Sequence, residues 1–506
     1  MDGEKAGYGF GRTSMLKTIS FIRWTDWRRL RTALAIVALS QSWSVVSSRA
    51  TAADAGRPNI VFILADDLAP TALGFTGNKQ LATPHVDRIA REGARLTGAF
   101  VTTPVCSPSR AALVVSRYSS ELGILDWINA KEEPEHGLDV NLTTWMQLLE
   151  RSGYRTGLFG KWHLGTAERF HPTRRGYQEF VGFRDGGRPP RDAVLEIDGQ
   201  DVKTEGFIVD VVTDRALEFL ERNSKRPFLL SLHYREPHAQ WLPTREEDWR
   251  PFENLQVLLP EPDFPKLNVP QVERMTREYY ASVASVDRNV GRVLDALDRL
   301  GLTENTIVIF TSDHGYHTGH HGLWHKGNAY WQTTEFPPAR WPNIPPRMRP
   351  NMYDQALRVP LALRWPAKIK PGTVVSETIS SLDWYPTLLA MAEVELPKDI
   401  VVRGRNALPL LLGGSLDWDN DLYAEYSMRH GARTDMRAWR TPQWKLVLDF
   451  ANAGRGELYD LEHDPGETTN LIDSTDPAAG QARETLEAKI RARMKQLNDP
   501  AVQGTP

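Results

Sequence analysis

Three stretches of the chain are apolar at almost every position: Asn59-Ile60-Val61-Phe62-Ile63-Leu64-Ala65, Phe228-Leu229-Leu230-Ser231-Leu232 and Thr306-Ile307-Val308-Ile309-Phe310. A strand with one face in water alternates apolar and polar residues, whereas an unbroken run fits a strand covered on both faces, as in a parallel sheet between layers of helix. Helical periodicity separates these runs. His85 to Arg95 carries Val86, Ile89, Ala90 and Gly93 at helical spacing, and Thr143 to Arg151 carries Trp145, Leu148 and Leu149 behind a threonine suited to capping. The strongest pattern runs from Glu278 to Leu300, where Tyr279, Val283, Val286, Val290, Val293, Leu294 and Leu297 share one face and Gly301 follows as a stop. Strands alternating with helices predict an α/β fold on a large, mainly parallel central sheet flanked by helices.

The pattern continues through Asp383 to Leu389 and loosens around Gly413-Gly414-Ser415. Beyond it, Leu422 to Tyr426, Trp439 to Phe450 and Glu457 to Leu461 read as short strands, followed by a charged helix from Ala482 to Leu497. These features predict a large domain over residues 56–417 and a smaller C-terminal α+β domain with an antiparallel sheet over 418–506. At the other end, Arg28-Arg29-Leu30-Arg31 precedes the apolar Ala33 to Leu39 and the small-residue sites Ala50-Thr51-Ala52 and Ala53-Asp54-Ala55. This reads as an export signal and leader over 1–55, too short in its apolar run for a stable membrane anchor. The expected location is periplasmic or secreted. A net charge of −3 over 506 residues, with no basic stripe, points away from nucleic acid. An anionic substrate would need a local cationic pocket.

Candidate chemistry gathers where the apolar runs end. The first ends in Asp66-Asp67 and the third in Ser312-Asp313-His314-Gly315. Ligands in open α/β sheets collect beyond the carboxyl ends of strands, so these two acidic ends can converge there. Three carboxylates in one cleft repel unless a cation neutralises them, and oxygen-rich ligation favours a hard ion, Ca²⁺ or Mg²⁺. Lys161 and His163, in Gly160-Lys161-Trp162-His163-Leu164-Gly165, emerge together at the end of a strand-like stretch from Tyr154 to Phe159. Cys106 is the single cysteine of the chain, which excludes an intramolecular disulfide and a thiolate metal cage. Its setting leaves two readings, a buried inert thiol or a chemically used one; Ser107, Pro108 and Arg110 are poor core company.

The segment Cys106-Ser107-Pro108-Ser109-Arg110, followed by small and apolar residues, resembles the Cys-x-Pro-Ser-Arg signature of the type I, formylglycine-dependent sulfatases of the alkaline phosphatase superfamily. Gly160 to Gly165 matches that family's Gly-Lys-Trp-His-x-Gly, Pro237-His238 its Pro-His, and Lys326 its second lysine; Gly456 to Glu467 resembles its closing strand and turn. The likeness runs from Pro58 to Ile472. It implies an alkaline-phosphatase-like fold and hydrolysis of an organic, carbohydrate-borne sulfate monoester. A formylglycine-generating maturation enzyme would oxidise Cys106 to 3-oxoalanine, whose hydrate is the nucleophile. The resemblance assigns Ca²⁺, less often Mg²⁺, to Asp66, Asp67, Asp313 and His314, with the oxygen derived from Cys106 completing the site. Arg110 would orient the formylglycine and, with Lys161 and Lys326, neutralise the sulfate. His238 or Lys326 would protonate the leaving alcohol, and His163 would take the proton whose loss releases sulfate.

This sequence departs from the family in two places. His314 stands where many relatives carry asparagine, and imidazole is a softer donor than an amide oxygen, which leaves the metal's identity open. The stretch from Asn328 to Arg349 is rich in aromatic and proline residues; Tyr330, Trp331 and Trp341 are expected to overhang the cleft and bind the organic part of the substrate. His317, His320, His321 and His325 are expected to be structural or to orient other groups. Two other functions fit the same motifs: a phosphonate or phosphodiester hydrolase of the same superfamily, and an inactive sulfated-glycan binding protein.

Overall fold

Every residue of Asn59–Ala65 is buried because this strand lies inside the sheet, paired in parallel with Phe228–His233 on one side and Thr306–Ser312 on the other. The structure, a computed structural model, describes residues 56–502, so the expected export signal lies outside the described residues. Successive residues of the strand point to opposite faces. Ile60, Phe62 and Leu64 enter one apolar core and Val61, Ile63 and Ala65 the other, which is why no polar position interrupts the run. Fully burying each large aliphatic side chain contributes about 1.5–3 kcal/mol, so the run itself holds the sheet between its helical layers.

The central sheet has ten strands, ordered Thr373–Val375, Ala94–Leu96, Leu361–Arg364, Thr306–Ser312, Asn59–Ala65, Phe228–His233, Arg155–Lys161, Glu179–Phe183, Val194–Ile197 and Gln200–Lys203. The five strands from Thr306–Ser312 to Glu179–Phe183 are mutually parallel, and antiparallel pairings are confined to its flanks. Their carboxyl ends therefore open on one edge, as the α/β reading requires. A separate four-stranded antiparallel sheet, Leu422–Tyr426, Met436–Arg440, Trp444–Asp449 and Gly456–Asp460, follows in the C-terminal part and packs against the helix Pro477–Leu497 through Trp439, Leu446, Leu486 and Ile490. On its other face Leu422, Ala424 and Tyr426 join the core that contains Phe62. Among the described residues, no helix is long and apolar enough to cross a membrane.

Several element boundaries differ from the sequence reading for local reasons. The helix expected over His85–Arg95 is Pro84–Arg91, and Ala94–Leu96 is instead a strand against Leu361–Leu363. Gly93 permits this abrupt change: a Cβ there would lie 2.1 Å from the Leu363 carbonyl oxygen. The long helix begins at Val269 rather than Glu278, since the Asn268 side chain accepts from Gln271 N and Pro270 lies in the first turn. The threonine that caps the helix Trp145–Arg151 is Thr144, whose side chain accepts from Gln147 N. The single strand expected over Trp439–Phe450 is two, because Thr441 Oγ1 accepts from the backbone of Gln443 and Trp444 and folds a turn between them. The last helix starts at Pro477, capped by Asp476.

Gly160 sits in the strand that delivers Lys161, at φ 115°, and a Cβ on it would fall 1.9 Å from the His233 carbonyl oxygen of the neighbouring strand. Gly160→Ala must therefore separate the two strands, at a cost of about 2–4 kcal/mol. A thermal melt should show a lowered Tm; a melt indistinguishable from wild type would show that the strands tolerate the methyl group.

Candidate active site

Four chain segments meet at the carboxyl edge of the sheet. Asp66 and Asp67 leave Asn59–Ala65, Asp313 and His314 leave Thr306–Ser312, and Lys161 ends Arg155–Lys161. Cys106 is the first residue of the helix Cys106–Val115, which is buried at every position. Ser109 Oγ donates to the Asp313 carbonyl, and Arg110 Nε donates to Asp313 Oδ2 at 2.9 Å while its Nη1 reaches the Lys161 carbonyl at 3.2 Å. These bonds seat the helix on the strand ends. Asp67 and His163 hold left-handed backbone at φ 67° and 60°, which non-glycine residues rarely adopt.

The side chains form one charged cluster. Lys161 Nζ lies 2.5 Å from Asp66 Oδ2, and Lys326 Nζ lies 2.5 Å from Asp67 Oδ1 and 2.9 Å from Cys106 Sγ. Cys106 Sγ is also 3.5 Å from Asp66 Oδ1 and 3.4 Å from His314 Nε2. His314 Nε2 is 3.2 Å from Asp67 Oδ1 and 3.3 Å from Asp313 Oδ1. Donor atoms of Asp66, Asp67, Cys106 and His314 all lie within 4.8 Å of one another. Asp313 stands beside this group with one oxygen committed to Arg110. Asp67 Oδ2 is buried and has no hydrogen-bond partner.

Burial and charge oppose each other throughout the cluster. Burial pushes the Asp66 carboxyl up, but Lys161, then His238, Arg110 and Lys326, outweigh it and hold the group well below the usual carboxylate range. Asp67 is lowered in the same way, with Lys326 the strongest opponent of its burial. Burial would lower the Lys326 ammonium, yet Asp67, Cys106 and Asp66 hold it well above its ordinary value. Cys106 goes the other way: burial and Asp66 push its thiol up to about 12 despite the two lysines. At neutral pH the group is an un-ionised thiol and a weak nucleophile. Of the two readings that the sequence left open, this setting disfavours the thiol itself as a nucleophile.

Burial lowers His163 well below its usual value, aided by Lys161, and lowers His238 to about 4 against the pull of Asp67. His163 Nε2 lies 3.2 Å from the Ile128 carbonyl, while its Nδ1 is buried without a partner. His238 Nδ1 is 2.7 Å from the Ala239 carbonyl, and its Nε2 is 3.9 Å from Asp67 Oδ2.

A cavity of about 520 Å³ opens above Cys106, with His163, His238, Lys326 and Tyr330 in its walls. The other two aromatic residues singled out in the sequence stand elsewhere. Asn328–Trp331 and Met348–Pro350 are paired strands rather than loop, so adjacent residues face opposite ways, and Trp331 lines a second cavity of about 360 Å³ together with Trp341. The segment between these strands is docked on the C-terminal sheet, with Trp341 Nε1 donating to the Ala453 carbonyl at 3.3 Å and Arg433 N to the Asn343 carbonyl at 3.0 Å. His317 pairs with Asn351 and His321 stacks on Tyr353, while His325 lines the main cavity. The sequence reading missed Trp127, Gly186, Gly187, His430 and Gly431, which also line it. None lies in a periodic element or a motif, so only the folded chain brings them there.

Residues 58–394 match the sulfatase family, and residues 348–498 match the C-terminal region of N-sulphoglucosamine sulphohydrolase. Over 88% of its length the chain is 26% identical to an N-acetylglucosamine-6-O-sulfatase of Bacteroides thetaiotaomicron, covering 87% of that protein. It is 29% identical to the steryl-sulfatase of Rattus norvegicus across 87% of this chain and 90% of the relative. At 24% identity, covering 88% of this chain and 99% of the other, the fold aligns with a TM-score of 0.74 to a protein solved in complex with its substrate D-glucosamine-2-N,6-O-disulfate. Because the charged cluster, from Asp66 to Lys326, falls wholly inside the matching stretch, the chain belongs to the sulfatase family and is a sulfuric ester hydrolase.

Proposed function

We propose that the protein removes sulfate from a sulfated carbohydrate outside the cytoplasm, after a maturation enzyme has converted Cys106 to formylglycine. The observation that carries this reading is the position of Cys106 Sγ, in contact with Asp66, His314 and Lys326 at the cavity that admits substrate. A buried neutral thiol has little to offer there, whereas an aldehyde hydrate supplies one oxygen to attack sulfur and a second whose deprotonation releases sulfate. We place the boundary between the catalytic and C-terminal portions near residues 417–418, and His430 and Gly431 bring the C-terminal portion to the same cavity.

The donor set fits a divalent ion. Asp66, Asp67, His314 and the group at position 106 are mutually close and buried, and the unpartnered Asp67 Oδ2 is an acceptor awaiting a partner. Asp313 Oδ1 is the fifth donor of the proposal. Carboxylate oxygens and variable geometry favour Ca²⁺; Mg²⁺ demands a tighter octahedron. Once bound, the ion would polarise oxygens presented to it. Charge explains the lysines: Asp66, Asp67 and Asp313 are balanced one for one by Lys161, Lys326 and Arg110. A divalent ion would leave the cluster cationic, which suits a sulfate ester and allows both ammonium groups to turn to its oxygens.

The chain's own groups divide the remaining work. Arg110, anchored on Asp313, orients position 106. His163, held through Nε2, has Nδ1 available to accept a proton. His238 and Lys326 lie on the cavity side and serve to protonate the departing alcohol. Tyr330 offers an aromatic face within the cavity; Trp331 and Trp341 could bind more distant parts of a glycan through the second cavity. The named carbohydrate sulfatase among the relatives supports a sugar as the alcohol.

Mass spectrometry of the Cys106 peptide, from protein made beside a formylglycine-generating enzyme, should show the thiol replaced by an aldehyde. Cys106→Ala should melt like wild type and release no sulfate. A fully active preparation carrying only unmodified cysteine would sink the mechanism.

Metal dependence has a separate readout. Elemental analysis should find about one calcium per chain, lost on chelation together with turnover and restored by Ca²⁺; Asp67→Asn should lower that content at least about tenfold in affinity. Full turnover in metal-free protein would remove the ion from the reading.

A further inference from the structure

One wall of the main cavity has no part in the chemistry described above. It is formed by Trp127 and His430, 303 residues apart in sequence, whose ring centroids lie 4.4 Å apart. A single buried carboxylate holds the two segments together. Asp126 Oδ2 accepts from the backbone N–H of Arg429 at 2.7 Å and of His430 at 3.0 Å, while Oδ1 accepts from Trp127 N at 2.9 Å and from the Tyr426 hydroxyl at 3.3 Å. Asp126 is 6% exposed, so each bond is shielded from competing water. The same short segment is tied to the reacting centre: Ile128 N donates to Ser107 Oγ at 3.0 Å, next to Cys106, and the Ile128 carbonyl faces His163 Nε2.

The wall has a definite chemical character. His430 Nε2 lies 3.1 Å from the Trp127 carbonyl, which can only accept; the contact selects the tautomer protonated at Nε2, in which Nδ1 is an acceptor. Glu133 Oε2, 3.6 Å from the same Nε2, adds negative charge beside the wall. An acceptor next to a carboxylate welcomes a hydroxyl and opposes a second sulfate, which has no proton to give. The half-buried indole of Trp127 offers an apolar face to the C–H side of a sugar ring.

We propose that Trp127 and His430 form the leaving-group subsite, taking a sugar ring that presents a free hydroxyl in preference to a second sulfate, and that Asp126 is the positioning residue that holds this subsite over Cys106. This rests on the sulfatase reading of the same cavity. The chemistry at sulfur belongs to the charged cluster; the wall reads the alcohol.

The test uses the full, matured enzyme and kcat/KM for sulfate release from an aryl sulfate and from monosulfated glucosamine, galactosamine and galactose, with the disulfated form of the best sugar. His430→Ala should lower the sugar-to-aryl ratio by about tenfold or more, because the lost hydrogen bond is made only to a hydroxyl. Trp127→Ala should reduce both substrates, the sugar more. Asp126→Asn keeps the shape but turns one acceptor into a donor; it should lower the same ratio, mainly through KM for the sugar, at a Tm close to wild type. If Asp126→Asn unfolds, the two wall variants decide the matter. A ratio unchanged within about twofold in the folded variants, a preference for the disulfated sugar, or cleavage of the aryl ester with every sugar refused would overturn the inference. Wild-type enzyme inert on aryl and sugar esters alike would instead strike the sulfatase reading beneath it.

Discussion

Three buried carboxylates, Asp66, Asp67 and Asp313, face three buried cations, Lys161, Lys326 and Arg110, and the architecture around them is what makes that arrangement tolerable. Each ion taken from water costs several kcal/mol even after relaxation, so none could stand there alone. The partners come from five separate segments: Asp66, Asp67, Asp313 and Lys161 meet because parallel strands present their carboxyl ends to one edge, while Arg110 comes from the helix that begins at Cys106 and Lys326 from the end of the strand Leu323–His325. The continuous apolar runs that bury both faces of the sheet therefore position charge as well as stabilise the core. Ser109 and Arg110 extend the same network to the helix that begins at Cys106.

That network also decides what Cys106 can be. A helix start and two nearby ammonium groups would ordinarily favour a thiolate, yet burial and the adjacent Asp66 carboxylate outweigh them. In the function proposed above, this position carries the oxygens of a formylglycine hydrate in place of the thiol. Left-handed backbone at Asp67 and His163 belongs to the same logic, since both residues must turn out of strand direction to reach the centre.

Much of this was legible before any coordinates. Asp66, Asp67 and Asp313 could be placed because each follows a run whose apolar continuity marks a central strand, and the Lys161–His163 pair because it follows the strand-like stretch from Tyr154 to Phe159. Trp331 could not be told from Tyr330, since their opposite orientations depend on a strand pairing, Tyr330 with Met348, that the proline-rich composition between them disguises. The helix ends were missed where a side chain set them: Asn268 and Asp476 lie outside the apolar periodicity that marks a helix. The change from helix to strand at Gly93 reflects close approach to Leu363, a contact 270 residues away in sequence. Trp127 and His430 had no local signal, because neither sits in a regular element and their contact is wholly tertiary.

The division between these legible and illegible residues has a physical origin. In the proposed function the groups assigned to the sulfate need fixed charge and geometry, and Asp66, Asp67, Asp313 and Lys161 among them sit at the ends of strands, where the backbone is rigid and the flanking pattern is strong. The residues proposed to face the alcohol, Trp127 and His430, need only shape and a few hydrogen bonds, and they sit on irregular segments joined by Asp126. Such a wall can change without disturbing the balanced ion cluster, whereas a change at Asp313 or Arg110 strands a buried charge. On the proposed reading, one sheet edge keeps the chemistry at sulfur constant while the loops that carry Trp127 and His430 alter which alcohol is released.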